Sequence, residues 1–298
     1  MTDVQHRGRT VVVGIDGSES ALRAVRWAAA EASRHRVPLR VVTAFEWTHD
    51  HPVGHIALGR NYRDIMLDQA RQYLAAAVAV AQGAVEGLDV EQQLIVGFPI
   101  PVLTAESERA RLVVIGDRGL GGVTGLLLGS VATALAARAD SPVVVVRGDE
   151  DPHPSGPIVV GVDGSPVSEA ALGFAYETAS ARRVSLVAVH TWWDAYVDQV
   201  LVPVLDWDAI ESDERRLLAE RLAGWSEKYP DVQVERIIRR DRPEHALVAQ
   251  SRRAQLVVVG SRGRGGLTGM LLGSVSHAVL HWAQCPVAVV RPEAARVG

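Results

Sequence analysis

The sequence predicts an α/β protein built from two tandem five-stranded parallel-sheet domains, and three observations carry that prediction. Short apolar runs rich in valine and isoleucine alternate with alanine-rich stretches of helical length, the order of a parallel sheet covered by helices on both faces. That order runs twice. A glycine-rich segment at 116–130, GDRGLGGVTGLLLGS, returns at 260–274 as GSRGRGGLTGMLLGS, with eleven of fifteen positions identical. Agreement of that degree marks an internal duplication.

The elements follow in order. Val11–Ile15 is a β-branched run closed by Asp-Gly-Ser, a buried strand ending in a turn. An Ala-rich amphipathic helix follows from Ser18 to about Arg34, with Ser18 or Ser20 as its cap. Leu39–Phe45 is the second strand, and Trp47 to about Asn61 an irregular insertion. A long helix runs from Tyr62 to about Val85, then Val90–Val96 is the third strand. Pro99-Ile100-Pro101 opens a short helix, where proline is tolerated in the first turn. Leu112–Ile115, the glycine loop, a helix over Ser130–Arg138 and a last strand over Val143–Val146 complete the half.

Residues 148–156 are acidic and rich in proline and glycine, the composition of a linker. They divide a first domain, 1–147, from a second, 157–298. The second half repeats the plan with strands at Ile158–Val162, Leu186–Thr191, Val232–Ile238, Leu256–Val259 and Val287–Val290. Its helices start at Ser165, Asp208, Pro243 and Ser274.

Composition narrows the function classes. The length suits about two domains, and 48% hydrophobic residues give each half material for its own core. A net charge of −4 provides no general field for nucleic acid or an acidic membrane. The single cysteine, Cys285, excludes an intramolecular disulfide framework and fits a reducing compartment. The segment MTDVQHRGRT has no apolar signal core, and no run reaches the roughly 18 apolar residues of a membrane span. The expectation is a soluble cytoplasmic protein.

The chemistry concentrates in the glycine loop. Glycines allow close backbone approach. Gly129 and Ser130 open a helix whose first amides and dipole favour an anion. The Ser130 hydroxyl adds a hydrogen bond and Arg118 adds charge. Gly273, Ser274 and Arg262 repeat these features. In open parallel sheets, ligands sit at the carboxyl ends of strands where the strand order reverses. Asp16 and Asp163, each just after the first strand of its half, face the loop there if the strands are neighbours. An acid before Gly-Ser is also a turn former in its own right.

Two familiar phosphate loops are excluded. A Walker loop requires lysine before its Ser/Thr, and neither copy contains one. A dinucleotide fingerprint requires G-x-G-x-x-G after the first strand; here the loop follows the fourth, and Thr124 occupies the third glycine position.

The whole plan resembles the universal stress protein family in its tandem-domain form, common in actinobacteria. The resemblance covers nearly the full chain. The ATP-binding subgroup carries G-x2-G-x9-G-[S/T], and both copies match it. The resemblance implies a Rossmann-like sheet of order 3-2-1-4-5, of the adenine-nucleotide alpha-hydrolase type. It implies a first nucleotide site made of Gly14, Asp16, Ala44, Gly116, Asp117, Arg118, Gly119, Leu120, Gly121, Gly122, Gly129, Ser130 and Val131. The second would use Gly161, Asp163, Thr191, Gly260, Ser261, Arg262, Gly263, Arg264, Gly265, Gly266, Gly273, Ser274 and Val275. The glycine loop would hold phosphates and ribose. Asp16 would face the nucleoside, and the backbone at Ala44 the adenine edge.

The implied ligand is ATP, or ADP or AMP, with Mg²⁺ held through the phosphates and no protein metal ligands. The implied role is nucleotide-dependent regulation of stress response or growth. No residue of the motifs other than Asp16 and Asp163 is suited to activating water, which favours a binder over an enzyme. A slow ATPase and a cyclic-AMP-binding or interaction scaffold are the alternatives. The last strands, Val143–Val146 and Val287–Val290, are apolar and edge-like. An open edge invites pairing, within the chain or in a homodimer, and a protein partner is unidentified.

The two sites are expected to differ. Asp117 and Arg118 nearly cancel in the first loop, whereas Ser261, Arg262 and Arg264 leave the second positive. An extra charge near a polyanion is worth about 1 kcal/mol, so the second site is expected to bind ATP several-fold more tightly.

Three other groups have simpler readings. His49, Asp50, His51 and His55 lack a second ligand group at a recognisable metal spacing, and read as a solvated loop. Trp192, Trp193 and Trp207 read as packing of the second insertion or an interface. His277 and His281 read as surface or interface residues, and Cys285 as a small buried one.

Overall fold

A computed structural model describes residues 10–46, 59–120, 128–148, 155–192, 206–263 and 271–292. The chain divides near residue 150 into two compact units.

The first unit runs β1 (Thr10–Ile15), α1 (Glu19–His35), β2 (Leu39–Phe45), α2 (Gly59–Ala84), β3 (Val90–Val96), α3 (Pro99–Ser107), β4 (Ala110–Gly116), α4 (Ser130–Arg138) and β5 (Val143–Val146). Its strands are parallel in the order β3-β2-β1-β4-β5. The chain steps outward from β1 to β2 and β3, then crosses back to β4 on the other side of β1. The reversal therefore lies between β1 and β4, where Val13 is registered against Val114. The ends of those two strands carry Asp16 and the glycine loop.

The second unit repeats this with β6 (Ile158–Gly161), α5 (Pro166–Arg182), β7 (Leu186–Thr191), α6 (Trp207–Lys228), β8 (Val234–Arg239), α7 (Pro243–Ser251), β9 (Leu256–Gly260), α8 (Ser274–Trp282) and β10 (Val287–Val290). Within it the parallel order is β8-β7-β6-β9-β10. Each unit has the 3-2-1-4-5 arrangement.

The central strands are buried on both faces. Val11, Val12, Val13, Val113 and Val114 are at most 2% exposed, as are Val159, Val160, Val257 and Val258. Alanine lets α1 lie close on the sheet: Ala24, Ala28, Ala29 and Ala32 are fully buried along one helical stripe. β3 and β8 depart from the uniformly apolar pattern. VEQQLIV and VERIIR are half exposed, and each is the outermost strand of its unit. Arg40 secures the outer part of the first unit, pairing with Glu106 at 2.8 Å and Glu91 at 3.0 Å.

Helix boundaries follow local chemistry. Ser18 caps α1 by accepting from the Ala21 N–H at 3.1 Å, and Ser165 caps α5 through Ser168 N–H at 3.2 Å. Ser20, the other candidate cap, sits inside the helix and is used elsewhere. Both helices end on arginine in the left-handed region, Arg36 at φ 54° and Arg183 at φ 56°. Glycine is the usual residue there.

Candidate functional site

At the reversal point of the first unit lies a cavity of about 450 Å³. Its walls contain Gly14, Asp16, Ala44, Gly116, Asp117, Arg118, Gly119, Gly129, Ser130 and Val131. Ten of the thirteen residues expected in that site thus line one cleft. Leu120 is not among the lining residues; it is 62% exposed, and its main-chain N–H donates to Asp16. Gly121 and Gly122 lie outside the described residues.

Apolar residues form the rest of the wall: Val42, Pro99, Leu103, Ile115 and Leu128 among them. Sequence reasoning missed these as site residues because an apolar residue at a strand end or on a helix first reads as core. Pro99 was the available signal, since it sets the start of α3 and so the position of Leu103. Gly14 completes the contact. A Cβ there would stand 2.8 Å from Leu103 Cδ1, so the close approach of α3 needs a glycine.

Asp16 braces the loop. Its Oδ1 accepts from the Ser18 N–H at 3.0 Å and its Oδ2 from the Leu120 N–H at 2.8 Å. The first bond is the Asx turn expected of an acid before Gly-Ser. The second reaches across to the segment after β4. A Cβ on Gly119 would collide with Asp16 Oδ2, so the glycine is what lets the carboxylate dock. The second unit has the same relationship. Asp163 Oδ1 accepts from Ser165 N–H at 2.8 Å, and a Cβ on Gly263 would lie 2.5 Å from Asp163 Oδ2.

The strand ends and helix starts are held by main-chain bonds. Asp117 N–H donates to Val146 O at 3.0 Å, and Gly129 N–H to Asp117 O at 2.8 Å. In the second unit Ser261 N–H donates to Val290 O and Gly273 N–H to Ser261 O, both at 2.8 Å. α4 and α8 begin at Gly129 and Gly273 with extended φ/ψ and no side-chain cap. Serine caps α1 and α5, and proline lies in the first turns of α3 and α7. First-turn amides left without a side-chain acceptor, with the helix dipole behind them, favour an anion. Ser130 and Val131, and Ser274 and Val275, provide those turns.

The remaining residues of the second set take matching positions. Gly161 ends β6 against Leu247, whose Cδ1 would lie 3.2 Å from a Cβ there. Thr191 ends β7, and Gly260 ends β9 next to Ser261 and Arg262. Arg264, Gly265 and Gly266 lie outside the described residues.

The two loops differ in charge and in support. Asp117 is 3% exposed and accepts from Ser20 Oγ at 2.7 Å. Its Oδ2 lies 3.6 Å from Arg118 Nε. Ser261 replaces it in the second unit, 1% exposed. On β7, His190 stands where β2 has Thr43. Its Nδ1 meets Val162 O at 2.7 Å and its Nε2 meets Glu214 Oε2 at 2.8 Å. Thr43 Oγ1 makes the simpler bond to Ile15 O, at 3.1 Å.

The model described as the universal stress protein family matches residues 8–147 and again 155–291. The chain belongs to the universal stress protein family. A universal stress protein of Mycobacterium tuberculosis (strain H37Rv) is 45% identical over 293 residues, covering 94% of this chain and 96% of its own. One from Mycolicibacterium smegmatis is 42% identical, covering 95% and 97%. A crystal structure of a universal stress protein from Archaeoglobus fulgidus has the same fold, with TM-score 0.71 and 21% identity over 96% of this chain and 99% of that one.

Other groups stay apart from this chemistry. Among the described residues, no three His, Cys, Asp or Glu side chains gather as metal ligands, and no helix is long and apolar enough to cross a membrane. His49, His51, His55 and Trp193 fall outside the described residues. Trp192 and Trp207 stack at 5.8 Å, with the Arg240 guanidinium 3.7 Å above Trp207. His277 and His281 are one turn apart on α8, with ring centroids at 4.5 Å. Cys285 is fully buried.

Proposed function

We propose that this universal stress protein binds one adenine nucleotide, ATP, in each of its two domains and acts as a cytoplasmic, nucleotide-dependent regulator of stress response or growth. The supporting observation is the single cleft that gathers Asp16, Ala44 and both ends of the G-x2-G-x9-G-S motif of the first unit. Adenine would enter among Val42, Leu103 and Ile115, with its edge at the Ala44 main chain. The phosphates would meet the first turn of α4, and Mg²⁺ would be held through them. Gly161, Asp163, Thr191 and the 260–275 loop would serve the second nucleotide, with 148–156 as the linker between domains.

A binder is favoured over an enzyme by the occupation of Asp16. Both its oxygens already accept main-chain N–H groups, so it is committed to holding the loop rather than to taking a proton from water. Regulation requires that ATP bind two conformations with different affinity, and a protein partner would read that difference. Homodimer formation belongs to the same reading, and sedimentation as a clean monomer would remove it.

Calorimetry tests the nucleotide reading. ATP is expected to titrate two sites on the native protein, one site on Gly119→Arg or Gly263→Arg, and none on the double variant. Steady turnover lost in Asp16→Ala/Asp163→Ala would support the slow ATPase instead.

A further inference from the structure

We infer that Asp117 sets the phosphate preference of the first site, lowering its selectivity for ATP over AMP below that of the second site, where Ser261 takes its place. The inference rests on the nucleotide-binding reading above and deepens it. The two copies of the loop have one plan but differ in a built feature at its root. In the first unit a carboxylate, 3% exposed, accepts a 2.7 Å hydrogen bond from Ser20 Oγ and lies 3.6 Å from the Arg118 guanidinium. Asp117 is one of the residues around the same cleft as Gly129 and Ser130.

The second unit lacks the carboxylate and its hydroxyl donor together. Val167 packs against Gly260 at the end of β9 as Ser20 packs against Gly116 at the end of β4, and Ser261 follows Gly260 as Asp117 follows Gly116. Among the described residues no ion pair involves Arg262. The first loop root therefore sums to zero charge and the second to one positive charge. A buried charge is screened less than an exposed one. Its effect grows with the ligand's own charge, so it acts on a triphosphate more than on a monophosphate. Asp117 thus changes the ratio of ATP to AMP affinity, beyond any general weakening.

The test uses the full chain with one site blocked. In the Gly263→Arg background, AMP and ATP affinities are measured by calorimetry with EDTA present, before and after Asp117→Asn. Asparagine keeps the shape and the acceptor for Ser20 and removes the charge. The ATP-to-AMP affinity ratio is expected to rise about five-fold, on the order of 1 kcal/mol. In the Gly119→Arg background, Ser261→Asp is expected to lower the ratio by a similar factor. Both changes should shrink in about 0.5 M salt, as charge effects do and packing effects do not. Ratios unchanged in both variants, with both nucleotides still binding, would overturn the role of Asp117. Binding of neither nucleotide to the native protein would overturn the parent reading, and this one with it. If Asp117→Asn does not fold, Ser261→Asp decides alone.

Discussion

The Asp16 carboxylate accepts the main-chain N–H of Leu120 at 2.8 Å, joining residues 104 positions apart. That bond makes the turn after β1 and the loop after β4 one structure. Its loss should therefore be felt on both sides of the cleft. Asp16→Ala removes the acceptor for two amides, a cost of about 1–3 kcal/mol, and releases the loop. We expect ATP affinity at the first site to fall roughly ten-fold, with the second site unchanged. Calorimetry on the Gly263→Arg background reads this directly.

Gly119 and Gly263 make that docking possible. A methyl group at either would meet the carboxylate of Asp16 or Asp163. Gly119→Ala should abolish binding at the first site only, and Gly263→Ala at the second only. The number of ATP molecules bound per chain, two falling to one in each case, is the measurement.

Much of this arrangement could be read from the residues. Apolar runs separated by helical stretches gave the strands of both units, and the repeated loop fixed the duplication. The polar character of β3 and β8 was visible in Glu91, Gln92, Gln93, Glu235 and Arg236, but their outer position depends on how the sheet is ordered. Ser18 and Ser20 were equivalent as caps until tertiary contact separated them: one caps α1, the other binds Asp117. The apolar half of the cleft was least legible, because Leu103 becomes a wall only when α3 packs over Gly14. The Asp16–Leu120 bond was hidden for a related reason, since a main-chain amide carries no signature in the sequence.

Gly116 separates packing from binding. Its Cβ would lie 2.7 Å from Ser20 C and 2.8 Å from Ser20 O, which are backbone atoms. Gly116→Ala must push α1 off the sheet and should destabilise by about 2–3 kcal/mol. Gly224, inside α6, has nothing within 4 Å of its Cβ position. Gly224→Ala should stabilise by about 0.5–1 kcal/mol. Urea denaturation midpoints at constant slope distinguish the two signs.

His190 and Glu214 form a pair that the first unit lacks. His190 is 8% exposed and both ring nitrogens face acceptors. His190→Ala leaves Val162 O and Glu214 without that partner and opens a cavity, for about 2–4 kcal/mol. Aligning α2 on α6 through buried Leu74 and Leu222 puts Met66 opposite Glu214. His190→Thr/Glu214→Met, copying the first unit, should therefore be less destabilised than the two single changes added together. A double-mutant cycle in urea checks the coupling.

Under the proposed function each unit holds an adenine nucleotide. Denaturing the purified, nucleotide-saturated and desalted protein, then identifying what it releases by chromatography, tests that most directly. Two equivalents of adenine nucleotide per chain are expected, falling to one in Gly119→Arg or Gly263→Arg. Release of no nucleotide, together with no ATP heat in calorimetry, would contradict it.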